Sequence, residues 1–205
     1  LDAAGYSDCK IIVSNSLDEH IIRDVLSQGA CIDSFGVGER LITAKSEPVF
    51  GGVYKLVAVE KDSTIIPKIK ISENSEKITN PGFKKIYRLF DKNNDTAIAD
   101  IISLNNENID ENSELEIFHP IHTWKRKKLT NFYAKELLVQ IFEKGEQVYS
   151  SPSVLEIKDF SKKEISKLWP EILRFENPHT YYVDLSNGLW NLKHNLLHRY
   201  SSIYK

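Results

Sequence analysis

The sequence contains no methionine and only two cysteines, Cys9 and Cys31, among its 205 residues. Two thiols cannot build a disulfide framework and their spacing is wrong for a zinc site, so reduced structural thiols in buried strands are expected. Long apolar runs are absent: none approaches the roughly twenty residues that span a bilayer, and no charged-then-apolar leader opens the chain. A soluble, cytoplasmic protein without a membrane partner is the expectation. An excess of either charge is also missing. With 27 Lys and Arg against 29 Asp and Glu the net charge is -2, which argues against a general nucleic-acid binder. Familiar catalytic signatures are lacking too, with no Ser-His-Asp order, Walker loop, HExxH or CxxC. The missing methionine, and an opening Leu1-Asp2-Ala3-Ala4-Gly5-Tyr6 that reads as a last helical turn closed by glycine, lead us to expect the C-terminal part of a longer polypeptide.

What is present is ordinary globular composition, 41% hydrophobic and 27% charged, enough for one sizeable domain or two small ones. Lys10-Ile11-Ile12-Val13 is a short apolar strand, and Leu17 to Gln28 places Leu17, Ile21, Ile22, Val25 and Leu26 at helical spacing. Ser16 is the expected N-cap and Gly29 the C-cap. A second apolar run, Cys31 to Phe35, leads through Gly36-Val37-Gly38 into a short helix over Glu39 to Ala44. Residues 1–52 therefore read as a strand-helix-strand-helix unit of α/β type.

Five β-like runs follow: Val53 to Glu60, Ile65 to Ile71, Lys84 to Phe90, Ala97 to Leu104 and Glu114 to Phe118. They are separated by turn clusters such as Asn80-Pro81-Gly82 and Asp91-Lys92-Asn93-Asn94-Asp95. Residues 53–150 are expected to form an antiparallel β subdomain, with Glu47 to Gly52 as a hinge. Residues 151–205 read as a helical tail, with a helix over Ser161 to Arg174 and another over Leu189 to Tyr200.

Candidate chemistry concentrates at the two strand-to-helix turns. Backbone N–H groups left unpaired at a helix start attract anions, and glycine lets the backbone approach a phosphate closely. Ser14, Asn15, Ser16, Gly36, Val37, Gly38 and Glu39 are the expected phosphate-binding residues. Two such turns on neighbouring parallel strands would open on the same edge. Glu39 would repel a phosphate, so its side chain should turn aside, toward Arg40 or an incoming metal. His119 and His122 lack further ligands, and the polar-loop reading outweighs a metal site. The run Lys125-Arg126-Lys127-Lys128 reads as a solvated face, and Trp169 and Trp190 as packing residues.

Val13 to Glu19, Asp33 to Ala44 and Gly52 to Val57 resemble the C-terminal half of bacterial nicotinate phosphoribosyltransferases. The resemblance continues through Glu76 to Gly82 with Lys84, His119 to Thr123, and Tyr182 to Ser186 with Trp190 and Lys193. It departs at Ser16, where family members often have Asp, and at Glu39, where they often have Thr. The resemblance implies part of an irregular α/β barrel plus a small, mostly antiparallel α/β sandwich and C-terminal helices, the type II phosphoribosyltransferase architecture. It implies joining of nicotinate to 5-phosphoribosyl 1-diphosphate, with ATP hydrolysis, giving nicotinate mononucleotide and diphosphate for NAD synthesis. Mg²⁺ and ATP are the implied cofactors, and a homodimer or association with the N-terminal portion the implied assembly. No catalytic residue falls in this segment: the phosphorylated histidine, the nicotinate-gripping arginine and the acidic ribose and magnesium segment of the family all precede Leu1. An inactive interaction module and a nicotinamide phosphoribosyltransferase are the competing readings.

Overall fold

The computed structural model describes residues 1–49, 51–122 and 124–201. Phe50, within the expected hinge, and Thr123, within the histidine loop, lie outside the described residues. The chain divides into two compact units, Leu1–Tyr54 and Lys55–Lys205.

In the first unit, β1 (Ile12–Ser14) and β2 (Ser34–Gly36) form a two-stranded parallel sheet in the register Ile12↔Ser34, Val13↔Phe35 and Ser14↔Gly36. Helix α1 (Glu19–Ser27) connects them, as a parallel pair requires of its crossover. The α1 cap is Asp18, not Ser16: its carboxylate accepts the Ile21 N–H at 2.9 Å. Ser16 cannot serve because it sits in the left-handed region, with φ 51. The C-cap of α1 is Gln28 rather than Gly29, which follows it in the left-handed region at φ 83. A single helical turn, α2 (Glu39–Ile42), follows β2. Cys9 and Cys31 are both exposed, contrary to the buried strands expected for them, because each lies outside the short strands that actually pair.

The second unit opens with an antiparallel hairpin, β3 (Ala58–Lys61) and β4 (Thr64–Pro67). Its body is a six-stranded sheet built from β5 (Lys84–Asp91), β6 (Ala97–Leu104), β7 (Leu115–Phe118), β8 (Arg126–Leu129), β9 (Phe132–Glu136) and β12 (Val183–Leu185), in the order β8-β7-β12-β6-β5-β9. A short hairpin, β10 (Phe142–Glu143) and β11 (Glu146–Gln147), follows β9. Alternation along β6 puts Ala97, Ala99, Ile101 and Ser103 on one fully buried face. Leu89, Ile117, Leu129 and Phe132 join Ala99 and Ile101 in the core.

Residues 151–205 do not form a separate tail. Val183–Leu185 enters the middle of the sheet, parallel to β6 and antiparallel to β7, and α4 (Asn187–Ser201) packs on β6 and β7. Helix α3 runs over Val154–Ile165, earlier in the chain than expected. A capping box sets its start, with Ser153 and Glu156 reciprocally bonded, and Pro152 precedes the cap without breaking the helix. Glu164 of α3 pairs with Lys135 at 3.0 Å and Arg88 at 3.5 Å, while Arg88 grips Asp100 in a two-pronged bond at 2.8 and 3.0 Å. That ion network ties α3 to β5, β6 and β9.

Candidate functional site

The parallel register of β1 and β2 brings Ser14 and Gly36 side by side at the ends of their strands. A Cβ on Gly36 would stand 3.1 Å from that of Ser14, so glycine lets the two turns approach this closely. Beyond Ser14 the backbone passes through two successive left-handed residues, Asn15 at φ 86 and Ser16 at φ 51. Such a conformation is uncommon for residues with a Cβ and marks a turn held by its surroundings. Leu17 then inserts its side chain, 5% exposed, and anchors the turn.

The two turns share a cleft of about 560 Å³ lined by Asn15, Ser16, Leu17, Gly36, Gly38, Glu39, Arg40, Thr43 and Lys45. Five expected site residues, Asn15, Ser16, Gly36, Gly38 and Glu39, therefore meet in one place. Ser14 supports the cleft from behind through its contact with Gly36, and Val37 lines a neighbouring depression with Asp18 and Arg40. No side chain caps α2 at Gly38, so the opening amides of that turn keep their donors available. A Cβ on Gly38 would meet no atom within 4 Å.

Two cations belong to this cleft that the sequence reading did not assign to it. Arg40 forms an ion pair with Asp18 instead of Glu39, linking the start of α2 to the cap of α1. The Ile21 N–H and the Arg40 guanidinium hold the Asp18 carboxyl below its ordinary range. Lys45 reaches the cleft because α2 lasts only one turn before the chain doubles back, with Lys45 N–H bonded to the Arg40 carbonyl. Periodicity carries no signal for that return.

Elsewhere, the histidine loop behaves as a polar turn. His119 Nδ1 accepts the backbone N–H groups of Ile121 and His122 at 3.2 and 2.9 Å, which places the neutral proton on Nε2. Burial pushes the His119 imidazole below its ordinary pKa. The basic run is not only a solvated face: Arg126–Leu129 forms edge strand β8, with Leu129 in the core and Lys128 paired to Glu114 at 2.7 Å. Among the described residues no group of three or more His, Cys, Asp or Glu is placed to hold a metal ion. No helix among them is long and apolar enough to cross a membrane.

Comparison with known proteins shows the family. A family model described as the nicotinate phosphoribosyltransferase C-terminal domain matches residues 83–193. The nicotinate phosphoribosyltransferase of Bacillus subtilis is 45% identical over 202 residues, covering 98% of this chain and 41% of that protein. That of Caenorhabditis elegans is 35% identical over 201 residues, covering 93% and 34%. The crystal structure of human nicotinic acid phosphoribosyltransferase superposes with a TM-score of 0.70 at 23% identity, over 96% of this chain and 36% of that one. The mixed α/β fold is that of the C-terminal part of a type II phosphoribosyltransferase. Its sequence narrows the class further, and the chain belongs to the nicotinate phosphoribosyltransferase family. It spans about two fifths of the length of the Bacillus relative and about a third of the nematode one.

Proposed function

We propose that this chain is the C-terminal portion of an enzyme that joins nicotinate to 5-phosphoribosyl 1-diphosphate, with ATP hydrolysis, to give nicotinate mononucleotide and diphosphate. The observation that carries the reading is the shared cleft at the ends of β1 and β2, lined by the uncapped start of α2 at Gly38 and by Lys45. Such a cleft suits the 5-phosphate of the sugar. Breaking the bond at C1 of the ribose builds positive charge on the sugar as diphosphate leaves. A donor fixed by its far phosphate presents that carbon in one orientation to the incoming base. Backbone N–H groups do this without moving a proton, so the residues of this segment position the donor. Reactive groups, and the ligands of Mg²⁺, come from polypeptide outside it.

Exposed apolar side chains of the first unit, among them Ile12, Leu41 and Ile42 at 69%, 69% and 85%, agree with burial against further polypeptide. We assign that cover to the remainder of an α/β barrel, and a homodimer completes the assembly. The nicotinate names of the relatives in Bacillus and Caenorhabditis favour nicotinate over nicotinamide as the base.

Purified full-length protein supplied with donor, ATP and Mg²⁺ is expected to convert nicotinate to its mononucleotide and to leave nicotinamide unreacted. The isolated 205-residue chain is expected to be inactive in the same assay. Turnover by the chain alone, or equal use of nicotinamide, contradicts the reading.

A further inference from the structure

Helix α2 has little of its own to hold it in place. It is one turn long, no side chain caps it at Gly38, and none of its residues is buried, Leu41 and Ile42 being exposed. So short a helix does not persist without ties to its surroundings. Its start nevertheless lines the cleft together with Asn15 and Ser16 of the first turn, so the width of the cleft depends on where α2 sits.

Asp18 supplies the tie. Its Oδ1 accepts the Ile21 N–H at 2.9 Å and starts α1, while its Oδ2 pairs with the Arg40 guanidinium. One carboxylate thus joins the first turn of α1 to the single turn of α2, across 22 residues of sequence. The pair is sheltered: its Arg40 and Asp18 side chains are 25% and 19% exposed, whereas both partners of the Lys10–Asp33 and Arg23–Asp24 pairs are at least 40% exposed. Shelter from water is what lets an ion pair hold two elements together, since fully solvated pairs contribute little. Leu17, the residue before Asp18, is buried and lines the cleft. Arg40 lines both the cleft and the neighbouring depression and so stands in the wall between them, while Asp18 lines the depression side.

We propose that the Asp18–Arg40 pair is the clamp that sets the width of the cleft, which makes both residues positioning residues for the phosphoribosyl donor. The inference rests on the reading of the cleft as the site of the donor's far phosphate. It gives Arg40 to Asp18 and not to the phosphate, because a guanidinium already matched by a carboxylate brings no net charge to the cleft. Without the clamp, α2 loses its tie to the cap of α1, and a donor held by its far phosphate is misplaced by any shift of that wall. The Ile21 N–H and the Arg40 guanidinium keep the Asp18 carboxyl below its ordinary range, so the clamp stays charged at neutral pH.

The test is a double-mutant cycle in the full-length enzyme, read by steady-state kinetics. Arg40→Met removes the guanidinium. Asp18→Asn removes the charge but keeps an oxygen for the Ile21 N–H, so the α1 cap survives. Each is expected to raise the KM for 5-phosphoribosyl 1-diphosphate about fivefold, with kcat and the KM for nicotinate little changed, the pattern of lost donor binding. The double variant is expected to lose no more than either single one, because the two residues act as a unit. Arg40→Lys retains a cation for Asp18 and is expected to restore most of the donor affinity. Should Arg40→Met fail to fold, Asp18→Asn carries the test, since it leaves the cap in place. An unchanged donor KM in Asp18→Asn overturns the proposal, because Arg40 would then act alone, by touching the phosphate. Losses that add in the double variant, or a lowered melting temperature with an unchanged donor KM, overturn it as well. Amide exchange separates this failure from failure of the donor reading. The Ile42 and Thr43 N–H groups, bonded to the Gly38 and Glu39 carbonyls, are expected to exchange faster in both single variants whether or not the donor binds at the cleft. Unchanged exchange there contradicts the clamp itself, whereas faster exchange with a donor KM that even Gly38→Val leaves unaltered overturns the donor's place in the proposal and keeps the clamp.

Discussion

Glu107 joins the end of β6 to the start of α4 through one carboxylate. It accepts from the Leu104 N–H at 2.7 Å, the Ser186 hydroxyl at 2.6 Å and the Gly188 N–H at 3.1 Å, fixing the first turn of α4 to the end of β6. A Cβ on Gly188 would stand 2.4 Å from Glu107 Oε1, so Gly188→Ala is expected to displace the carboxylate and lose those bonds. Both Gly188→Ala and Glu107→Ala should cost about 2 kcal/mol in denaturant unfolding, the scale of a charged hydrogen-bond set left unmade. Losses near zero would contradict this role. Asp184 presents the opposite case: it is 6% exposed and its Oδ1 has no hydrogen-bond partner. Burial raises its carboxyl pKa, and His119, when protonated, together with Lys127 only partly opposes that. A native pKa above the unfolded one means that the folded state binds the proton more tightly. Its stabilising contribution is complete below the unfolded pKa and is lost as pH rises through the native value. Asp184→Asn is therefore expected to raise stability at neutral pH by about 1 kcal/mol, with the gain vanishing in acid. An equal gain at both ends of a pH series of melts would show that charge is not the cause.

At the scale of elements, long alternating runs were legible and short or charged ones were not. Lys84–Asp91 and Ala97–Leu104 declare themselves because each is an eight-residue run rich in β-favouring side chains and bounded by turn residues. Val183–Leu185 hides because three residues, one of them an aspartate, carry no period, and because its place between β6 and β7 is decided by the distant strands on either side. Arg126–Leu129 hides behind its charge: on an edge strand three of its four side chains face water, and only Leu129 reports the core. Helix α3 starts earlier than its apolar spacing suggests because the Ser153–Glu156 capping box, one residue after Pro152, sets its first turn. Ser153→Ala is expected to cost about 1 kcal/mol and to fray the first turn of α3, read by denaturation and amide exchange. Unchanged exchange there would contradict the capping box seen between Ser153 and Glu156. The cleft was legible in its backbone, since each turn sits between an apolar run and a helical one. Its cations were not, because Arg40 chooses Asp18 over Glu39, and Lys45 returns, only through the fold.

For the molecule as a whole, each of the two units carries its own division of labour. The Lys55–Lys205 unit builds a sheet with buried faces and carries the match to the family's C-terminal domain. The Leu1–Tyr54 unit has little core of its own, with Leu17 its one buried large apolar side chain among the described residues, and it presents the cleft between its two turns. The central claim is that this cleft grips the far phosphate of the phosphoribosyl donor through backbone amides. Gly38→Val tests it directly, because a side chain there meets no protein atom within 4 Å and points its bulk at the space the phosphate would fill. Steady-state kinetics of the full-length enzyme should show the KM for 5-phosphoribosyl 1-diphosphate raised about tenfold or more, with the KM for nicotinate little changed. A Gly38→Val enzyme with an unaltered KM for the donor would contradict the claim.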